Sequence, residues 1–328
     1  MCIFASLKVR AATVMSLAVA ERYHTATSNS ELICGWERVR IPQTCCGQEV
    51  VVGIDEAGRG PVLGSLIYVT AFWPMAQHEE ICKLGYNDSK QLKEEDRERL
   101  FKGIQSHHSI GWVIEELTAE TISKEMQRVN PVSLNAISYD AVIRALETIR
   151  DYGSNPPLVT EVYVDTVGDP EYYKSRLTKA LGEDFAKFTI EKKADATYKV
   201  VSAASIIAKV TRDTSLKQFV YNEETMRHLD KNFGSGYPGD ENCVNWLKRA
   251  SHPVFGFPNI VRFSWSTSRE ALKKIEAAEV KFECDDEMGS GMDSISSHFS
   301  AAGQKRLKIK RTPFFLNKKM KYLLSDDL

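Results

Sequence analysis

The chain is poor in the features that mark membrane, disulfide-bonded and strongly charged proteins. Nowhere in its 328 residues is there an apolar run of about eighteen, so no membrane-spanning helix is expected. Its seven cysteines, at 2, 34, 45, 46, 82, 243 and 284, are odd in number and form no CxxC pair. That argues against a disulfide framework or a zinc site and for a reducing compartment. The adjacent Cys45 and Cys46 are read as ordinary thiols. The formal charge is only −1, so any polyanionic partner has to be held by a local patch and not by the field of the whole molecule. No GxxxxGK[ST] loop and no GxSxG elbow occurs, which removes P-loop nucleotide binding and serine hydrolysis of that type.

What is present is apolar content. Hydrophobic residues make up 43% of the chain, ample for one large core, or for a core with a small subdomain. EVVVGIDE (49–56) is β-branched and apolar, and reads as a buried strand. SLIYVTAFW (65–73) follows a short Gly/Pro turn as its antiparallel partner. IGWVIEEL (110–117), EVYVD (161–165) and FAKFTIEKK (185–193) read as three further strands. Helical patterns cover 91–105, then 133–151 with Ser133 as its start signal, then the small-residue stretch 200–219. Three early strands followed by alternating helix and strand predict a mixed α/β sheet covered by helices.

The two ends are different in kind. Residues 1–20 carry Lys8 and Arg10, no acid before Glu21, and the apolar run ATVMSLAVA. They read either as a weak targeting peptide or as a loosely attached extension. Stretch 276–293 has seven acids and one base, and 303–321 has eight bases and no acid. Such opposed blocks suit a solvated tail, while TPFFLNKKMKYLL (312–324) also suits a segment that docks a partner chain or nucleic acid.

Candidate chemistry sits at strand ends. Asp55 and Glu56 close the first strand, Asp165 closes the fourth in VDTVG, and Asp195 follows the fifth in KKADATY. Brought together, four carboxylates repel one another and hold protons at neutral pH; a divalent cation removes that cost. Oxygen ligands without His or Cys favour Mg²⁺ or Mn²⁺ over zinc. The set suits two-metal phosphoryl hydrolysis. A glycosidase also needs two carboxylates, but that reading leaves the neighbouring glycines unused. GRG (58–60) bares the backbone where a ligand could approach it, and GRGPVLG is not a GxGxxG fingerprint.

At this point a resemblance becomes specific. GIDEAGRGPVLG, NDSK (87–90), PVSLNAIS (131–138), VDTVG (164–168), KADATYKVVSAASIIAKVTRD (193–213), FGSGYPGD (233–240) and PVFGFPNIVRFSW (253–265) resemble, in order, the motifs of the type 2 ribonuclease H, or ribonuclease HII, family. The match spans roughly 50–275, and VDTVG with the FGFP and RFSW segments is similar to the eukaryotic catalytic subunit.

The resemblance implies a ribonuclease H-like mixed sheet of five strands. It implies a catalytic core over 49–215, a helical subdomain over 216–275, an N-terminal extension over 1–48 and a charged tail over 276–328. It implies an endonuclease acting on RNA–DNA hybrids and 5′ of single ribonucleotides in duplex DNA, with Mg²⁺ as cofactor and Mn²⁺ as substitute. The products would be a 3′-hydroxyl and a 5′-phosphate. Roles in ribonucleotide excision repair and RNA primer removal, a nuclear location, and two non-catalytic partner subunits follow from the same likeness. Its metal-site acids fall on Asp55, Glu56, Asp165 and Asp195. Gly58, Arg59 and Gly60 fall on the segment that senses the ribose 2′-hydroxyl, a group that donates and accepts and so separates RNA from DNA. Tyr237 falls on the residue that packs at the RNA–DNA junction. Ser89, Lys90, Asn135, Lys209 and Arg212 fall among substrate contacts, although Arg212, beside Asp213, equally suits an internal pair. A non-catalytic hybrid-binding subunit is the alternative, and it would require a broken carboxylate set.

Overall fold

The computed structural model describes residues 32–86, 92–128, 130–166, 168–222 and 224–278. Its centre is a valine-rich strand, β4 (Glu49–Ala57), buried on both faces. It pairs antiparallel with β5 (Leu66–Pro74), which pairs antiparallel with β6 (Gly111–Leu117). On its other side β4 runs parallel to β7 (Leu158–Asp165), and β7 parallel to β8 (Lys187–Glu191). The five strands expected from the sequence are therefore all present, in a mixed sheet.

A sixth strand corrects the count. β3 (Val39–Arg40) pairs antiparallel with β6 and gives the order β3-β6-β5-β4-β7-β8. Before it lies a two-stranded pair of β1 (Leu32–Ile33) and β2 (Trp36–Glu37). Two-residue strands are too short for an alternating pattern to show, so the stretch 32–48 reads from sequence as part of an extension. In the structure Arg40 anchors it, donating to the Gln105 carbonyl at 2.5 Å and to the His107 carbonyl at 3.0 Å.

Alternation along β4 sends its side chains to two cores. Val50, Val52 and Ile54 face α4 (Leu134–Arg150) and α5 (Pro170–Leu181). Ile122 of the short α3 (Ala119–Met126) belongs to the same core. Ser133 caps α4 as its position suggests, its hydroxyl accepting from the Ala136 amide at 3.2 Å. Val51 and Ala57 face α2 (Glu94–Ser106) and α7 (Lys199–Lys217); the short α1 (His78–Cys82) borders this second core. The small residues of α7 have a purpose here. A Cβ on Gly53 would run into the Val200 backbone, so Gly53 lets α7 lie directly on β4.

A third core joins the loop after β4 to the C-terminal part of the chain. Val62 and Leu63 pack with Phe233, with Trp246 and Leu247 of α8 (Glu241–Ala250), and with Ile260 and Val261. An isolated β-bridge, Leu63 to Val261, helps to tie the two segments, and α9 (Ser266–Lys274) follows. Residues 279–328, which include the acidic and basic blocks, lie outside the described residues. No helix among the described residues is long and apolar enough to cross a membrane.

Candidate active site

Three of the four sequence-selected acids converge. Asp55, Asp165 and Asp195 each offer a carboxylate oxygen, and these oxygens all lie within 4.8 Å of one another. The parallel pairing of β4 with β7 brings the first two side by side across 110 residues of chain. The third comes from α6 (Ala194–Thr197), a single turn just after β8.

Each acid is held by short-range contacts. The Asp55 carboxylate accepts from the Glu56 amide at 2.8 Å and is hydrogen-bonded to Ser205 on α7. Asp165 accepts from the amides of Lys193 at 2.7 Å and Ala194 at 3.3 Å. Lys193 aims its amide by adopting a left-handed conformation, φ 61° and ψ 34°, which is uncommon for a lysine. Asp195 is fixed through its backbone, its carbonyl accepting from the Ser202 hydroxyl at 2.7 Å.

The electrostatics fit a cation. Burial, reinforced by Asp165 and Asp195, pushes the Asp55 carboxyl up to about 7, even though the Ser205 hydrogen bond pulls the other way. Three carboxylates this close, two of them nearly inaccessible, meet the description of an oxygen-only site for a hard divalent ion.

Glu56 is not in this group. It neighbours Asp55 on a regular strand and so faces the opposite side of the sheet, opposite Tyr68 in the β4–β5 register. Its charge is felt by Tyr68 and Tyr173.

The bare loop has a defined shape. Gly58 sits at φ +89°, and a Cβ there would lie 2.6 Å from the Ser65 carbonyl oxygen. Its own carbonyl accepts from Arg262 Nη2 at 2.5 Å, the Arg59 carbonyl from Arg262 Nη1 at 3.0 Å, and the Gly60 carbonyl from Trp265 Nε1 at 3.2 Å. Because a trans peptide points C=O and N–H in opposite directions, the amides of Arg59 and Gly60 are turned away from Arg262. The Arg59 side chain folds back onto α4, donating to Ser138 Oγ at 3.3 Å and to Asn135 Oδ1.

Arg262 is a residue that sequence reasoning misses. It is fully buried, with Nε also donating to the Gly64 carbonyl at 3.0 Å, and its guanidinium lies 4.8 Å from the Trp265 ring centroid. Burial and the nearby Arg212 pull it down to about 9, so it stays charged at neutral pH. The available signal is an arginine and a tryptophan in RFSW, within an otherwise apolar stretch. Ser205 is missed too, as one small residue among many.

The remaining candidates are distributed around this centre. Tyr237 is 45% exposed, and a Cβ on Gly60 would come within 3.2 Å of its ring. It therefore stands at the edge of the bare loop. Arg212 is turned inward: it donates to the Ser235 carbonyl at 2.6 Å, pairs with Asp213 at 3.0 Å, and lies 5.8 Å from the Tyr237 ring. Of the two readings of Arg212, the internal pair is the one its geometry matches. Lys209 lies one helical turn beyond Ser205, on the same side of α7 and half-buried. Asn135 offers its amide nitrogen beside Gly168 while its oxygen accepts from Arg59. Ser89 and Lys90 lie outside the described residues.

A mixed sheet that gathers two aspartates from strand ends and a third from the turn after β8, next to a glycine-flanked loop, fits a nuclease of the ribonuclease H type. The family model for "Ribonuclease HII" matches residues 52–268, and the chain belongs to that family. Over 249 residues it is 42% identical to one of the ribonuclease H2 subunits of Arabidopsis thaliana, covering 76% of this chain and 81% of that protein. It is 39% identical to the corresponding ribonuclease H2 protein of Homo sapiens, covering 85% and 91%. The solved ribonuclease H2 of Pyrococcus horikoshii superposes with a TM-score of 0.56 at 32% identity, covering 70% of this chain and all of that one. The chain is a ribonuclease H, a phosphodiester hydrolase.

Proposed function

We propose that the chain cuts the RNA strand of RNA–DNA hybrids and also cuts 5′ of a single ribonucleotide embedded in duplex DNA, leaving a 3′-hydroxyl and a 5′-phosphate. The observation that carries this reading is the adjacency of the three-aspartate group to a loop that turns bare amides outward. Hydrolysis and ribose sensing then fall on neighbouring atoms of one nucleotide. Asp55, Asp165 and Asp195 would hold Mg²⁺, with Mn²⁺ as substitute; Glu56, at the end of the same strand as Asp55, is the fourth acid expected of the site. The bound ions supply acidification of the attacking water and charge relief at the leaving oxygen.

The protein's own groups do the rest. The amides of Arg59 and Gly60 meet the 2′-hydroxyl, which a deoxyribose lacks. Tyr237 packs on the sugar that follows and so selects a junction. Lys209 and Asn135 meet phosphates and fix the register of the duplex without reading bases. The relatives are named as subunits of ribonuclease H2, which supports assembly with other chains; two non-catalytic partners are the proposal, with the 303–328 segment as the candidate dock. Ribonucleotide excision repair and RNA primer removal in the nucleus are the processes this chemistry would serve.

The test is a duplex carrying one ribonucleotide, incubated with Mg²⁺ and the full chain together with its partner subunits. A cut on the 5′ side with a 3′-hydroxyl end is expected, and Asp55→Asn should abolish it. A duplex left uncut by the intact assembly would sink the reading.

A further inference from the structure

The two ends of Arg59 are held in different places. Its backbone belongs to the bare loop, where its carbonyl accepts from Arg262 at 3.0 Å. Its side chain leaves the loop and ends on α4, where Nη1 donates to Ser138 Oγ at 3.3 Å and Nη2 to Asn135 Oδ1. Asn135 and Ser138 stand one turn apart and share a face of that helix. Ser138 gives its only proton to the Leu134 carbonyl at 2.7 Å, so it meets Arg59 as an acceptor.

The contact with Asn135 sorts the two ends of an amide. A guanidinium offers donors only, so it takes the Asn135 oxygen and leaves the nitrogen on the other side. That nitrogen lies beside the loop that follows Asp165, 3.8 Å from where a Cβ on Gly168 would stand. It has no hydrogen-bond partner among the described residues. Phosphate oxygens accept and do not donate, so only the nitrogen end of the amide can meet one. Asn135 also sits in the first turn of α4, where the helix dipole favours an anion.

We propose that Arg59, through its side chain, is a positioning residue for Asn135: it locks the amide with Oδ1 towards the protein and Nδ2 towards the nucleic-acid backbone. The Arg59 peptide and the Asn135 amide then move as one piece, which sets ribose sensing and phosphate contact at a fixed spacing. The charge of Arg59 is used inside the protein and not on a phosphate. The inference rests on the reading of Asn135 as a phosphate contact.

The experiment measures the affinity of the full chain, with its partner subunits, for a single-ribonucleotide duplex, in EDTA so that nothing is cut, at several salt concentrations. Arg59→Met, Asn135→Ala, Asn135→Asp and the Arg59→Met/Asn135→Ala double variant are compared with wild type. Arg59→Met is expected to weaken binding about fivefold, the scale of one hydrogen bond. The slope of log affinity against log salt should not change, since a side chain that touches no phosphate releases no counterion. The double variant should bind no more weakly than Asn135→Ala, because the arginine acts through the asparagine. Asn135→Asp keeps an acceptor for Arg59 but loses the donor, and should weaken binding at least as much as Asn135→Ala. A slope reduced by about one in Arg59→Met would put its charge on a phosphate and overturn the proposal. So would a double variant weakened by the product of the two single losses. If Asn135→Ala is weakened while Arg59→Met binds as wild type does, the positioning role is wrong and the reading of Asn135 survives. If Asn135→Ala binds as wild type does, that reading fails and takes this inference with it. Should Arg59→Met fail to fold, Asn135→Asp carries the test with Arg59 still paired, and unweakened binding by it overturns the proposal.

Discussion

The Arg262 guanidinium meets the Gly58 carbonyl at 2.5 Å, although 204 residues of chain separate them. No acid forms an ion pair with Arg262 among the described residues; its charge is met by the carbonyl dipoles of Gly58, Arg59 and Gly64. A buried charge is tolerated only when hydrogen-bonded in this way. The relationship runs in both directions. The loop supplies the acceptors that make Arg262 burial possible, and Arg262 selects which way the loop peptides face. A segment late in the chain thus shapes the Gly58–Gly60 loop, 204 positions before it.

Arg262→Lys is the direct test of that dependence. An ammonium cannot span three carbonyls arranged for a planar fork, so two or more acceptors would be left buried. A loss of about 3 kcal/mol in urea unfolding is expected, together with a fall in cleavage at a single ribonucleotide. Binding of Mn²⁺ by the three aspartates should be retained, as read by calorimetry. Unchanged cleavage by Arg262→Lys would show that the loop keeps its shape without the fork.

Gly53→Ala tests the scaffold without touching any site residue. The new methyl meets the Val200 backbone, and α7 has to lift off β4. That moves Ser205 away from Asp55, and shifts the anchor that Ser202 gives to the Asp195 carbonyl. Displacements of about 1 Å in such a site cost on the order of a hundredfold in rate. The expected result is a folded protein, by circular dichroism, whose kcat is reduced by that order.

Legibility from the sequence follows the range of the interactions. Asp55 and Asp165 are readable because each ends an apolar run, and Asp195 because it follows the next strand within a few residues; strand ends in one sheet meet. The opposite facing of Glu56 is also readable, since neighbours on a strand alternate. Arg262 is not: nothing local tells an arginine in RFSW that its acceptors lie at GRG. The strand at Val39–Arg40 is too short to carry a period. The inward turn of Arg212 depends on the Ser235 carbonyl, which only the folded loop places there.

The pH dependence of stability follows from Asp55. Its carboxyl is raised from about 3.8 unfolded to about 7 in the fold, with burial the first cause. A raised value means that its contribution is fully present below the unfolded value and is lost as pH rises towards and through 7. The metal-free protein should therefore lose stability across that window, and Asp55→Asn should flatten the profile. Added Mg²⁺ or Mn²⁺ should raise the melting temperature more at pH 8 than at pH 5, because a cation favours the ionised form. A melting temperature of the metal-free protein that is level from pH 4 to pH 8, in wild type and variant alike, would remove Asp55 from the buried, repelled group.

Tyr237 is the residue proposed to separate the two substrates. It stands over Gly60 and is itself backed by Arg212, so its ring is available and held in place. A single ribonucleotide presents one RNA–DNA junction, where the next sugar lacks a 2′-hydroxyl and leaves room for the ring to pack. A long hybrid offers ribose at every step, and its cleavage depends less on that one contact. Tyr237→Ala is therefore expected to lower kcat/KM for the single-ribonucleotide duplex by about tenfold or more, the scale of one lost ring–sugar contact, and that for a long hybrid by clearly less. Tyr237→Phe, which keeps the ring, should separate stacking from any role of the hydroxyl. Parallel cleavage of both duplexes by the two variants gives the ratio directly, and equal losses on both substrates would mean that Tyr237 supports the loop and does not select the junction.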